Sequence, residues 1–184
     1  MAELGVPAGA AANVLGARPT TTQITHVRGL FRQRVSVEER TVSDWTIDGV
    51  SLRQVIAQRS GWPDEADLPA EHPPLRSDGF WPELAVKSLR SLLGDGPTEL
   101  PDARVVLLSC AGCANISCGA LTAELVIGDD AVEWRDIGWQ DDDRFDVEHD
   151  GLAPPLSLRF SWTPYSALLR RLLSEYAALV PTPR

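Results

Sequence analysis

The chain has 184 residues, 43% hydrophobic and 23% charged, proportions of one globular domain that exclude a fibre and a fully disordered chain. Its net charge of −9 disfavours nucleic acid as a partner, because phosphate binding relies on cationic side chains displacing counterions. No run reaches the ~18 apolar residues of a membrane span, and the N-terminal stretch lacks a basic region ahead of its apolar part, so neither membrane nor export is indicated.

In chain order, residues 1–22 are rich in Ala, Gly, Thr and Pro without a period and read as a mobile arm, leaving 23–184 as the domain. Arg18, Arg28, Arg32, Arg34 and Arg40 make the stretch around residues 18–40 locally basic. Val35, Val37, Val42, Trp45 and Ile47 form a strand-like pattern closed by the turn Asp48-Gly49. Ser51 fits an N-cap for a short helix carrying Leu52, Val55 and Ile56 and ending at Gly61. The proline-rich segment 62–79 reads as a long loop. Pro82, then Leu84, Ala85, Leu89, Leu92 and Leu93, predict an amphipathic helix stopped by Gly94.

Arg104–Ser109 has the composition of a buried strand. Leu121, Ala123, Leu125 and Ile127, the turn Gly128-Asp129-Asp130, and Val132 with Trp134 predict a hairpin. After an acidic loop, Leu156, Leu158, Phe160 and Trp162 alternate on a last strand. Thr163 and Pro164 then open a helix with an apolar stripe of Leu168, Leu169, Leu172, Leu173 and Tyr176. Consecutive strands with short turns imply an α+β fold: a mainly antiparallel sheet of about five or six strands with two or three helices on one face. The stripe should pack on Phe160 and Trp162.

The most pointed chemical feature is Cys110-Ala-Gly-Cys113-Ala-Asn-Ile-Ser-Cys118-Gly119. An odd, clustered set of cysteines suits a reducing cytoplasm better than a disulfide framework. A C-x2-C pair clamps a tetrahedral ion such as zinc, and Cys118 supplies a third ligand, but a fourth must come from His26, His72, His149 or a carboxylate. The same spacing serves redox chemistry, although thioredoxin-type motifs open a helix and here a strand follows. The bland alternative is three small side chains buried where two strands meet, with Cys113, at the turn, the most reactive.

Between Asp129 and Asp150 stand ten acidic residues against Arg135 and Arg144, nearly all of the net negative charge. An EF-hand frame begun at Asp146 fails, because its twelfth position is Ser157 where a bidentate Glu is needed. The remaining readings are a solvated connector or a surface for a basic protein, with Trp134 and Trp139 as aromatic anchors beside Asp141, Asp142, Asp143 and Asp146. No Walker loop, G-x-S-x-G, H-E-x-x-H or G-x-G-x-x-G is present, so no catalytic residue is assigned.

The string from Leu107 to Trp139, with clustered cysteines ending in Cys118-Gly119, a following strand and the hairpin segment Val132-x-Trp134-x-Asp136, resembles a group of small bacterial, mainly actinobacterial, proteins. The resemblance supports the hairpin and implies no activity. Two functions of different class follow from the residues themselves. One is an acidic interaction module, of the kind by which immunity proteins and antitoxins cover a cationic partner. The other is a zinc-binding or cysteine-dependent protein using Cys110, Cys113 and Cys118.

Overall fold

The computed structural model describes residues 12–28, 34–60, 68, 72–141 and 144–181, and Asp142 and Asp143 of the expected acidic surface lie outside that set. The architecture is α+β, with two antiparallel sheets. β1 (Leu15–Arg28), β2 (Arg34–Ile47) and β3 (Val50–Ser51) form the first, and β4 (Arg104–Leu108), β5 (Ala120–Ile127), β6 (Ala131–Gln140) and β7 (Leu158–Ser161) form the second. The helices are α1 (Leu52–Ser60), α2 (Trp81–Leu93), the single turn α3 (Val147–Asp150) and α4 (Trp162–Ala177). No helix among the described residues is long and apolar enough to cross a membrane.

One departure from the sequence reading lies at the N-terminus. Residues 15–22 belong to β1, which pairs with β2 over its whole length, from Leu15 opposite Ile47 to Arg28 opposite Arg34. The expected arm is therefore too long at its C-terminal end. Thr20, Thr21 and Thr22 suit a pleated, half-buried surface as β-branched residues, but they run consecutively between Pro19 and Gln23 and so leave no hydrophobic period to read. The expected antiparallel α+β fold is present, with its strands divided between two sheets. Asp48-Gly49 turns β2 into the two-residue β3, with both turn residues at positive φ, and α1 leaves at once. Ser51 does not cap α1 through its hydroxyl, which donates to Asp44 Oδ2 at 2.7 Å.

Segment 72–76 ties the two sheets together. His72 and Ser109, just beyond β4, exchange backbone hydrogen bonds of 3.4 and 2.8 Å, and Arg76 bridges to Val42 on β2. The core between them is built on Trp45 and Trp134, whose rings meet edge to face at 6.4 Å, with Phe160 at 4.9 Å from Trp134. Trp134 Nε1 donates to the Tyr165 hydroxyl at 3.2 Å, and that hydroxyl donates to Leu92 O at 3.1 Å, so both buried polar atoms are satisfied. Burial pushes the Tyr165 phenol well above its ordinary pKa.

The hairpin of β5 and β6 forms as the alternation predicts, Ile127 opposite Val132 and Leu125 opposite Trp134. α2 begins at Trp81 and ends in a left-handed Gly94, whose N–H donates to Ser91 O while Asp95 N–H donates to Arg90 O. α4 buries Tyr165, Leu169, Leu172 and Tyr176, with Leu168 only partly covered. Its largest contact is with α2 rather than with the sheet, so the expected packing of the stripe on Phe160 and Trp162 is secondary to a helix–helix seam.

Candidate functional site

β4 ends at Leu108, and the chain crosses to β5 at Ala120 through eleven residues whose only regular piece is a 3-10 turn at Ile116–Cys118. Several contacts hold the entrance of this crossover. Ser109 pairs with His72, and Arg76 Nη1 donates to the carbonyl of Ala111 at 2.6 Å. Arg76 is in turn fixed by Asp78, which accepts from Nε at 2.9 Å and Nη2 at 2.8 Å, and its guanidinium stacks 4.4 Å from the Trp81 ring centroid. The hydrogen bonds from Arg76, with its charge and that of Arg40, hold the Asp78 carboxyl below the usual carboxylate range. The exit is shaped by Asn115, whose side-chain oxygen accepts from Ser117 N–H at 3.0 Å and starts the 3-10 turn. Gly119, at φ +88, ends it.

This frame gathers the three cysteines. The sulfurs of Cys110, Cys113 and Cys118 all lie within 4.8 Å of one another, and the group contains, among the described residues, no histidine or carboxylate. Cys113 and Cys118 approach to 3.5 Å, and the Asn115 N–H donates to Cys113 Sγ at 3.4 Å. That N–H holds the Cys113 thiol below its ordinary pKa. Cys118 is pushed up to about 11, because it shares a hydrogen bond with the Cys113 sulfur and sits beside its charge. Cys113 and Cys118 are exposed and Cys110 is partly so, which overturns the expectation of three buried thiols between two strands. The crossover is longer than a tight turn, so it loops clear of the sheet and carries its last two cysteines into solvent.

Of the histidines expected as a fourth ligand, neither His72 nor His149 joins the cluster. His72 is fully buried; its Nδ1 contacts the Pro73 carbonyl at 2.5 Å, and its Nε2 has no hydrogen-bond partner among the described residues. Burial lowers its pKa. His149 lies 3.1 Å from Asp146 Oδ2 at the surface, and the side chain of His26 lies outside the described set.

Beside Cys118 opens a cleft of about 320 Å³, whose other walls include Trp139, Gln140, Asp141 and Asp150. The acidic loop reaches this position through a buried cation. Arg104 donates to Thr122 Oγ1 at 3.1 and 2.8 Å and to Asp136 O at 2.9 Å, and its guanidinium lies 3.3 Å from the Phe145 ring centroid. The Thr122 hydroxyl in turn donates to Gln140 Oε1 at 3.0 Å. Desolvation lowers the Arg104 pKa to about 10, still a cation at neutral pH. Gly138 pairs with Gly151, and a side chain at Gly138 would run into the Asp150 carbonyl, so the loop docks directly on β6.

Within that loop two of the acids bond to the backbone. Asp146 accepts from Glu148 N–H at 2.9 Å to cap α3, and Asp150 accepts from Asp146 N–H at 2.8 Å. Asp141 and Asp146 are exposed, and Trp139 is half-buried in the cleft wall. Trp134, expected as a partner anchor, is fully buried and presents nothing to a partner. Its alternation on β6 marks a core position, and the contact reading was wrong for it. The positioning residues Arg76 and Arg104 went unread in the sequence: one sits in a proline-rich loop and the other opens an apolar strand, and neither pattern signals a long-range partner. No protein-family model matches the chain, and no curated protein or solved structure matches it.

Proposed function

We propose that Cys110, Cys113 and Cys118 hold a thiophilic divalent cation, zinc foremost, through three thiolates. The observation that carries this reading is the convergence of three sulfurs within 4.8 Å on a loop held from both ends. Two thiolates on a tetrahedral zinc stand about 3.8 Å apart, given Zn–S bonds of about 2.3 Å, so the cluster needs little adjustment to close on an ion. Exposed thiols give the ion an entry path. A cation also removes the difficulty of the pair, since coordination deprotonates Cys118 despite its raised pKa. Three protein ligands leave one position for water or a donor from outside, the arrangement that catalytic zinc sites use. The cleft beside Cys118 provides space for that donor, and Asp141 and Asp150 favour one that is cationic or rich in N–H groups. The test is titration of the reduced full chain with zinc against a chromophoric chelator, and with cobalt, whose thiolate absorption reports the ligand type. One equivalent bound, lost in each single Cys→Ser variant, supports the reading; no binding tighter than to a denatured control rejects it.

A second reading is favoured by the exposed carboxylates of Asp141, at the cleft, and Asp146: an acidic surface for a basic protein, with Trp139 in the cleft wall. Its association rate should fall as salt rises, because exposed charges more than about 8 Å apart are screened at physiological ionic strength. A partner captured equally by the wild type and by a chain with Asp141, Asp142 and Asp143 all changed to Asn would reject that surface.

A further inference from the structure

Cys113 and Cys118 share a relation in which Cys110 takes no equal part. Their sulfurs are in contact at 3.5 Å and both are exposed, whereas Cys110 sits half-buried at the end of the strand. A disulfide requires about 2.05 Å, so the pair has roughly 1.5 Å to close. The chain between them carries no sheet pairing: two irregular residues lead into the 3-10 turn, and closing it breaks no strand ladder. The two thiols are also not equivalent, because the Asn115 N–H is directed at Cys113 Sγ.

We propose that Cys113 and Cys118 are a reversible oxidation site, converted to a disulfide by hydroperoxides while Cys110 stays a thiol. The Cys113 sulfur attacks the outer peroxide oxygen and the O–O bond breaks. The departing alkoxide or hydroxide takes up the proton that the thiol gives up. Cys113 becomes a sulfenic acid, oxidised by two electrons as the peroxide is reduced by two. The Cys118 sulfur then attacks the sulfenic sulfur, the S–S bond forms, and the hydroxyl leaves as water with the Cys118 proton. This sulfur chemistry needs no metal. Its consequence for the site rests on the metal reading above: the disulfide removes two of three ligands, so oxidation ejects the cation and reduction restores the site.

The experiment uses the reduced full chain in metal-free and zinc-loaded forms, each treated with one equivalent of hydrogen peroxide. Differential alkylation and peptide sequencing by mass spectrometry then follow. The expected product has lost two hydrogens, carries a Cys113–Cys118 bond and alkylates only at Cys110. Cys110→Ser should form the same bond, and Cys118→Ser should stop at a sulfenic acid on Cys113 that dimedone traps. A bond that includes Cys110, or no intramolecular bond in the metal-free chain, overturns the proposal. The zinc-loaded form should release its equivalent on oxidation; a chain that forms the bond and keeps its zinc overturns the coupling. If the metal-free chain forms the bond but the reduced chain binds no zinc, the oxidation site stands and the metal reading falls.

Discussion

The cysteine crossover at 109–119 and the acidic loop at 141–151 are the two places where the sequence concentrates one kind of side chain, and the fold treats them in opposite ways. In the crossover the protein supplies hydrogen bonds to the backbone, through Arg76 on Ala111 and His72 on Ser109, and leaves the three sulfurs facing one another. In the loop the charged side chains are themselves the backbone's partners: Asp146 and Asp150 satisfy N–H groups of α3 and of its entrance. A carboxylate engaged in capping has one oxygen taken up by the backbone, which leaves less of it to join its neighbours on a metal ion. Density of one residue type in a sequence is therefore a weak guide to a site, and what matters is whether other groups hold the chain so that those side chains are spare.

This contrast is open to test, beginning with the largest effect. Each of Cys110→Ser, Cys113→Ser and Cys118→Ser should lower zinc affinity by more than the ~10–100-fold typical of losing an outer-shell partner, whereas Asp146→Asn and Asp150→Asn should leave it nearly unchanged. Chelator competition reads both, and a comparable loss in the aspartate variants would erase the distinction.

Arg104→Met removes the donor to Thr122 and Asp136 and the cation over Phe145. The expected cost is about 2–3 kcal/mol in urea unfolding, from a buried acceptor left unpaired and a lost charged contact. Amide exchange should rise in 144–150 and not in 110–119. A smaller loss, about 1–2 kcal/mol, is expected for Gly138→Ala, where the new methyl meets the Asp150 carbonyl and displaces the loop from β6.

Acid should separate the two regions without mutation. Buried His72 has a folded pKa below 6.5, so the stability it contributes is complete above about pH 6.5 and declines as pH falls from there through the folded value. Asp146 has a folded pKa below 3.8, lowered chiefly by the Glu148 N–H, so its contribution is complete above about pH 3.8 and is lost as pH falls from there through the folded value. Melting between pH 7 and 5 should therefore loosen the anchoring of the cysteine crossover first, and His72→Asn should flatten that slope. The smallest effect is expected of Asp141→Asn, which should not move the denaturation midpoint, since an exposed charge contributes little to folding.

Periodicity made much of this fold legible. The hairpin of β5 and β6, the amphipathic α2 with its glycine stop, and the alternating β7 all rest on contacts close in sequence, which is why a local pattern encodes them. β1 was hidden because threonines give propensity without a hydrophobic period, and its pairing with β2 is what orders them. For the site, the cysteine spacing was readable but its exposure was not, because a sequence shows that thiols are near one another and not which side of the chain faces water. The burial of Trp134, the helix–helix seat of α4, and the roles of His72, Arg76 and Arg104 depend on residues 30 or more positions away.

The amino-acid sequence thus determined an acidic α+β domain with its main helices, its hairpin and three thiols within nine positions, since these follow from local spacing and composition. Only the tertiary structure decided that the strands divide between two sheets, that the three sulfurs converge, and that Asp141 and Asp150 line a cleft beside Cys118. The physical reason is that each of these turns on hydrogen bonds between distant segments, and the loss of chain entropy in bringing such segments together is offset only when the whole core forms at once.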